Sequence, residues 1–128
     1  MRPTSARAGF TLIELLVVLA IIGTLITIAL PKYLHSVARS REAVLHQDLR
    51  TMRTAIDQYL ADTGHYPATL DDLVKSRYLR SLPEDPVTGL ATTWVSVSPP
   101  EAVAGSGVYD IRSGADGISL EGTAYAQW

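Results

Sequence analysis

Glu14 is the residue best placed to do chemistry in this sequence, because of what surrounds it. Residues 10–30, FTLIELLVVLAIIGTLITIAL, form one apolar run of 21 residues in which Glu14 is the single ionisable side chain. An ionised carboxylate within a membrane-spanning helix costs roughly 2.5–3.5 kcal/mol on insertion scales, so it is retained where it has a partner or a route to water. Two readings stand side by side. Glu14 is the fifth residue of the run, near enough to one end to snorkel to the interface. Alternatively its charge meets a specific cation, and cleavage before Phe10 would create an ammonium at the start of the same segment. That amine could pair with the carboxylate of a neighbouring helix offset along the axis, and such a pair would set the stagger between subunits.

The remaining reactive side chains offer little. There are no cysteines, which excludes a disulfide framework, a thiolate nucleophile and any Cys-based metal site. His35, His46 and His65 have no Glu or His partner at helical metal spacing on the same face and read as solvated or boundary histidines. Asp57 and Asp62 read as exposed helix charges rather than an acid–base pair. No serine sits in a Gly-x-Ser-x-Gly elbow and no Gly-rich phosphate loop follows a strand. An enzyme is not expected. With 11 Lys+Arg against 13 Asp+Glu, the net charge of −2 gives no basic surplus for nucleic acid.

The elements that must position Glu14 fall into three zones of the 128-residue chain. Residues 1–9, MRPTSARAG, are short, polar and basic through Arg2 and Arg7. The run 10–30 would be about 31 Å long as a helix, enough to cross the hydrocarbon core of a bilayer. Residues 31–128 are mixed polar sequence of globular character. Arg2 and Arg7 on one flank and Lys32, Arg39 and Arg41 on the other do not settle orientation by charge. Placement of the run at the N-terminus, as in a signal, predicts export of the larger domain. An ordinary secretory signal fits less well, because the run is longer than an h-region and contains a carboxylate. Thr27-Ile28-Ala29 is only a weak small-residue cleavage site.

Past Pro31 the pattern becomes one-sided. Leu34, Ala38, Leu45, Leu49, Met52, Ile56 and Leu60 recur at threes and fours, with a break where Arg41 and Glu42 occupy the stripe. Arg39, His46, Gln47, Asp48, Arg50, Arg53 and Asp57 fill the other face. This is an amphipathic helix. Joined to the apolar run, it gives one helix from Phe10 to about Asp62, on the order of 80 Å long. Gly64 suits the C′ position and Pro67 prevents a restart. A kink or local unwinding is expected at Pro31, with extra play around Gly23.

Thr69-Leu-Asp-Asp72 predicts an N-cap and acidic first turn for a short helix reaching about Arg77. Glu84 to Gly89 is turn-rich. Two β-like segments follow, Thr92–Ser98 and Val108–Arg112, and Ile118–Leu120 is expected as an edge strand. The expected fold class is α+β, one long helix laid on a small antiparallel sheet.

The stretch Arg7-Ala8-Gly9-Phe10-Thr11-Leu12-Ile13-Glu14-Leu15-Leu16-Val17-Val18 resembles the class III signal of type IV pilins and pseudopilins. That resemblance implies a pilin-like fold and cleavage by prepilin peptidase between Gly9 and Phe10. It also implies N-methylation of Phe10 and a role for Glu14 in assembly. It further implies a homopolymer built at an inner-membrane platform by a separate cytoplasmic ATPase, with minor pseudopilins as partners and the C-terminal domain in the periplasm. A monotopic anchored protein would explain the helix but not Gly9-Phe10 or Glu14. Loss of residues 1–9 would leave 9 basic against 13 acidic side chains, net −4.

The second half is similar to the major (G-type) pseudopilins of type II secretion. The matching residues are Asp57-Gln-Tyr59, Thr63-Gly64-His-Tyr66-Pro67, Tyr78-Leu79, Leu82-Pro83-x-Asp85-Pro86 and Tyr109-Asp110-Ile111-x-Ser113-Gly114-Ala115-Asp116-Gly117. A major or minor pilin of a type IV pilus or competence system is the alternative. Many such pilins close their C-terminal region with a disulfide, which a chain without cysteine does not form. The resemblance also implies an acidic calcium loop. Asp116 matches one ligand, and Glu121 could stand in for the further aspartate that is missing from Ile118–Trp128. Against calcium, Asp116-Gly117 is ordinary turn chemistry and two carboxylates are a thin shell. Tyr125 and Trp128 would then anchor the tail by packing.

Mass spectrometry of the mature chain should therefore find an N-methylated Phe10 at its start. A start near Leu30 would identify an ordinary signal peptide instead.

Overall fold

The computed structural model describes residues 8–103 and 105–128. Most of the expected leader, with Arg2 and Arg7, lies outside the described residues. Two compact units divide the chain, one ending at Val37 and the other spanning Ala38–Trp128.

Helix α1, Leu12–Thr63, contributes to both units. It runs without interruption through Pro31, so the local unwinding expected there does not occur. Proline removes a single donor, to the Thr27 carbonyl, from a helix with strong formers on both sides. Within the apolar stretch the polar side chains bond back to their own helix. The Thr24 hydroxyl donates to the Ala20 carbonyl at 2.9 Å and that of Thr27 to Gly23 at 2.8 Å. In a medium without water such internal partners are required. At the other end, Gly64 adopts φ 78° and its N–H closes on Leu60 O at 2.8 Å, the left-handed C′ stop read from the sequence.

In the second unit α1 buries Glu42, Leu45, Leu49, Met52, Ala55 and Ile56. Leu45, Leu49, Met52 and Ile56 are the expected stripe; Ala55 joins it, Glu42 is buried within the break, Ala38 and Leu60 are half-buried, and Leu34, in the first unit, is exposed. Onto this face pack Leu73, Leu79, Trp94, Val108 and Ile111, which complete the core with partly buried Tyr59, Tyr66, Tyr125 and Trp128 at its edge.

Helix α2, Leu70–Lys75, begins at the expected cap: the Asp72 carboxylate accepts the Thr69 N–H at 2.9 Å. That bond holds the Asp72 carboxyl below its ordinary range. The helix stops before the expected Arg77, which instead takes φ 65° and turns the chain, with Tyr78 N–H donating to Leu73 O at 2.8 Å. Strands β1, Val95–Val97, and β2, Asp110–Arg112, pair antiparallel with Ser96 opposite Ile111. Both are shorter than expected, and the flanking residues bond elsewhere. The Val108 N–H goes to Pro67 O at 2.8 Å, the Thr93 hydroxyl pairs with that of Thr88 at 2.7 Å, and the Trp94 indole donates to Pro83 O at 2.8 Å.

The edge strand expected at Ile118–Leu120 is absent. Only an isolated bridge joins Ile118 to Ala124, because the segment folds on itself and ends in a 3₁₀ turn at Tyr125–Gln127. The architecture is α+β, as the sequence implied.

A Cβ at Gly114 would run into the Thr93 carbonyl oxygen, and Gly107 joins a close backbone approach to a positive φ. At Gly107 φ is 122°, and a Cβ there would lie 2.6 Å from the Pro67 carbonyl oxygen. Gly107→Ala should destabilise the protein by about 2–3 kcal/mol, measured by thermal or denaturant unfolding.

Candidate functional site

The N-terminal end of α1 carries the residues singled out by their chemistry. Phe10 is 88% exposed, and from Leu12 to Leu30 the helix is exposed all round. That stretch is long and apolar enough to cross a membrane. A helix apolar on every side needs lipid or other helices around it. Against this surface Glu14 is anchored locally. The Thr11 hydroxyl accepts the Glu14 N–H at 3.2 Å, and the Glu14 carboxylate reaches back to the Thr11 N–H at 3.5 Å. Thr11 O also takes the first helical bond, from Leu15 N–H at 3.2 Å. Thr11 to Glu14 is thus a Thr-x-x-Glu capping box, a signature plain in the sequence that attention to the carboxylate's charge passed over. The box places the Glu14 carboxylate at the positive end of the helix dipole, where the cap Thr11 directly follows Phe10, so Glu14 and the Gly9–Phe10 bond lie at one helix end.

In the second unit the structure gives partners to several side chains that the sequence left in solvent. Arg53 donates through Nε to Asp110 at 2.7 Å and through Nη2 to Ile111 O at 2.9 Å, tying α1 to β2. The pair is substantially exposed, so its value is in fixing geometry more than in stability. Asp62 accepts the Tyr78 hydroxyl at 2.7 Å, which raises the Tyr78 pKa, while Asp57 is exposed as expected. His35 is exposed, His65 meets the edge of Tyr59, and His46 stacks on Trp128 at 3.8 Å.

Asp85 is fully buried in the turn-rich stretch. Its Oδ1 accepts Val87 N–H at 2.8 Å and Thr88 N–H at 3.3 Å, and its Oδ2 accepts the Ser113 hydroxyl at 2.5 Å. The turn was legible from Asp85-Pro86 and Gly89. Burial of the carboxylate was not, since Ser113 arrives from the far side of β2.

Glu42, the break in the apolar stripe, is a second buried carboxylate. Its Oε1 accepts the Leu120 N–H at 2.8 Å and the Tyr125 hydroxyl at 2.9 Å. Burial, and then the bond to Glu42, raise the Tyr125 pKa. Tyr125 and Trp128 also pack edge to face at 5.4 Å, so both aromatics anchor the tail. Asp116 and Glu121 are both exposed. Among the described residues no three His, Asp or Glu side chains converge where they could hold a metal ion.

An exposed apolar helix opened by Gly9-Phe10 and a capped Glu14 is the arrangement in which the sequence resembles the pilin-like precursors. The family described as "Prokaryotic N-terminal methylation motif" matches residues 4–30. Over most of its length the chain is similar to "Type II secretion system core protein G" of Escherichia coli (strain K12), 33% identical over 134 residues that cover 91% of this chain and 88% of that protein. The protein of the same name from Pseudomonas aeruginosa is 31% identical, covering 87% and 85%. "Type IV major fimbrial protein FimA" of Dichelobacter nodosus is 48% identical over 58 residues, 45% of this chain and 37% of that protein. No solved structure matches. The chain belongs to the type II secretion system core protein G family, the pseudopilins of the type IV pilin superfamily.

Asp48, half-buried on α1, gives this unit a pH dependence. Burial, and then the charge of Asp85, push its carboxyl above the ordinary range. The folded state therefore holds a proton there more tightly than the unfolded chain, and the contribution of Asp48 to stability falls as pH rises through the carboxylate range. Asp48→Asn should raise the melting temperature by a few degrees at neutral pH. In thermal melts across pH, the gain should vanish below the carboxylate range.

Proposed function

We propose that this chain is a structural subunit of a type II secretion pseudopilus, anchored in the inner membrane by the first part of α1 with residues 38–128 on the periplasmic side. Prepilin peptidase cuts between Gly9 and Phe10 and methylates Phe10. The processed subunits then polymerise into a helical filament that helps drive protein export. The partners of this reading are further copies of the chain, minor pseudopilins, the inner-membrane assembly platform and its cytoplasmic ATPase. No catalytic residue is assigned, and the work of assembly comes from the ATPase.

The observation that carries this reading is the single carboxylate at the head of a helix exposed and apolar on every side. Moving such a helix from lipid into a stack of like helices changes its hydrophobic energy little, so packing and paired charge decide the register. The amine at Phe10 and the carboxylate of Glu14 in an adjacent subunit make that pair. The capping box supports it by presenting the carboxylate at the helix end from which Phe10 projects.

A type IV pilus is the second reading, favoured by the 48% identity to the fimbrial protein over 58 residues. The relatives that extend over most of the chain are secretion proteins, and they favour the pseudopilus. Deleting the chain from its host separates the two: loss of extracellular release of a folded secreted protein supports the pseudopilus, and loss of surface fibres supports the pilus.

Glu14→Ala should leave the subunit processed and in the membrane fraction while lowering filament yield at least about tenfold, as expected for loss of a desolvated charge pair. Filaments formed at the normal level, counted by electron microscopy or crosslinked ladders, would defeat the pairing argument.

A further inference from the structure

The tail of this pseudopilin is organised around a carboxylate that comes from α1 rather than from the loop itself. Glu42 Oε1 receives the backbone N–H of Leu120 and the hydroxyl of Tyr125, so one anion holds both ends of the segment 120–125. Around it the loop satisfies its own polar groups. Ser119 N–H donates to Thr123 O at 2.8 Å, Thr123 N–H to Ser119 Oγ at 3.2 Å, and Gly122 N–H to Ser119 O at 3.0 Å. The two hydroxyls lie 2.9 Å apart, and the Trp128 indole donates to Thr123 Oγ1 at 2.8 Å. Trp128 in turn stacks on His46, one helical turn beyond Glu42.

This donor set is a poor match for calcium. The ion takes six to eight oxygens, several of them carboxylate. Segment 113–128 supplies two carboxylates, Asp116 and Glu121, both exposed, and among the described residues no third acidic or imidazole group converges with them. The carboxylate that does reach the loop is engaged by N–H and O–H donors, the opposite polarity to a cation site. Bonds to an ionised acceptor are also the stronger kind. We infer that the C-terminal loop of this subunit closes without a divalent cation, with Glu42 drawing together the donors of Leu120 and Tyr125.

Thermal unfolding of the full-length protein in detergent, followed by near-UV circular dichroism, tests this. Melting midpoints in excess calcium chloride and in excess EGTA should agree within about 1 °C, whereas a bound cation at a hundredfold excess over its Kd would separate them by roughly 10–20 °C. Glu42→Ala strands the Leu120 N–H and should lower the midpoint by about 5–15 °C. Glu42→Gln, which keeps an acceptor, should recover at least half of that loss. Should Glu42→Ala fail to fold, Tyr125→Phe decides, with an expected drop of about 4–8 °C and faster hydrogen exchange at Leu120. The double variant Asp116→Asn, Glu121→Gln should melt like the parent in both buffers. A midpoint raised by calcium overturns the inference, as does a Glu42→Ala or Tyr125→Phe protein that melts like the parent. Because the readout is unfolding of the subunit itself, its failure is distinct from a failure to assemble.

Discussion

Water cannot be the surrounding of α1 between Leu12 and Leu30. The side chains there are apolar, exposed on every face and long enough in sequence to span a bilayer. In the proposed pseudopilus, lipid satisfies that surface before assembly and neighbouring helices satisfy it afterwards, and the two environments differ little in hydrophobic energy. A near-neutral exchange leaves the decision about register to whatever is not apolar. Glu14 is the only ionisable group available, and the Thr11 cap holds it at the helix end where the new amine would appear. The capping box also bears on the cost of carrying the charge. A carboxylate that accepts its own helix's first N–H groups and sits at the positive end of the dipole is less exposed to the penalty of an isolated anion.

The second unit handles buried charge by a related device. Asp85 and Glu42 are both taken from water and accept N–H and O–H donors, Asp85 on both carboxylate oxygens and Glu42 on Oε1. A buried carboxylate with its lone pairs engaged avoids the desolvation penalty that a bare one would incur. In each case the donors come from separate parts of the chain, so the anion serves as a clasp. Asp85 holds the loop before β1 to the segment after β2, and Glu42 holds the tail to α1. Arg53 does the converse, a cation on α1 gathering Asp110 and the Ile111 carbonyl of β2. A small unit with a two-stranded sheet has little hydrophobic area to specify its shape, and these polar contacts complete the specification.

Much of this could be read from the residues in order. The apolar run, the stripe from Leu45 to Ile56, the Gly64 stop and the Thr69 cap are local signals: side chains three or four apart share a helix face, and caps act within one turn. The Thr11–Glu14 box belongs to the same class and was available by the same rule. Two adjacent signals misled for an equally physical reason. Residues with strand-forming side chains at Thr92–Trp94 and at Ile118–Leu120 have the right propensity. At Ser119 and Leu120 the backbone N–H groups go instead to Thr123 and Glu42, outside a ladder, while the Thr93 hydroxyl packs on Thr88 beside β1.

Order along the chain alone determined the membrane-length apolar helix, the N-terminal methylation motif it carries, the face of α1 that is buried from Leu45 to Ile56 and the α+β class, because each depends on periodicity or on neighbours within a few positions. Tertiary structure alone decided that Glu42 is a clasp rather than a gap in the stripe, since its partners lie 78 and 83 residues away. It also decided that Asp85 is buried and that His46 is a platform for Trp128. A carboxylate's partner is chosen by which donors the fold brings within about 3 Å, and no spacing in the sequence encodes a distance that closes only when the core does.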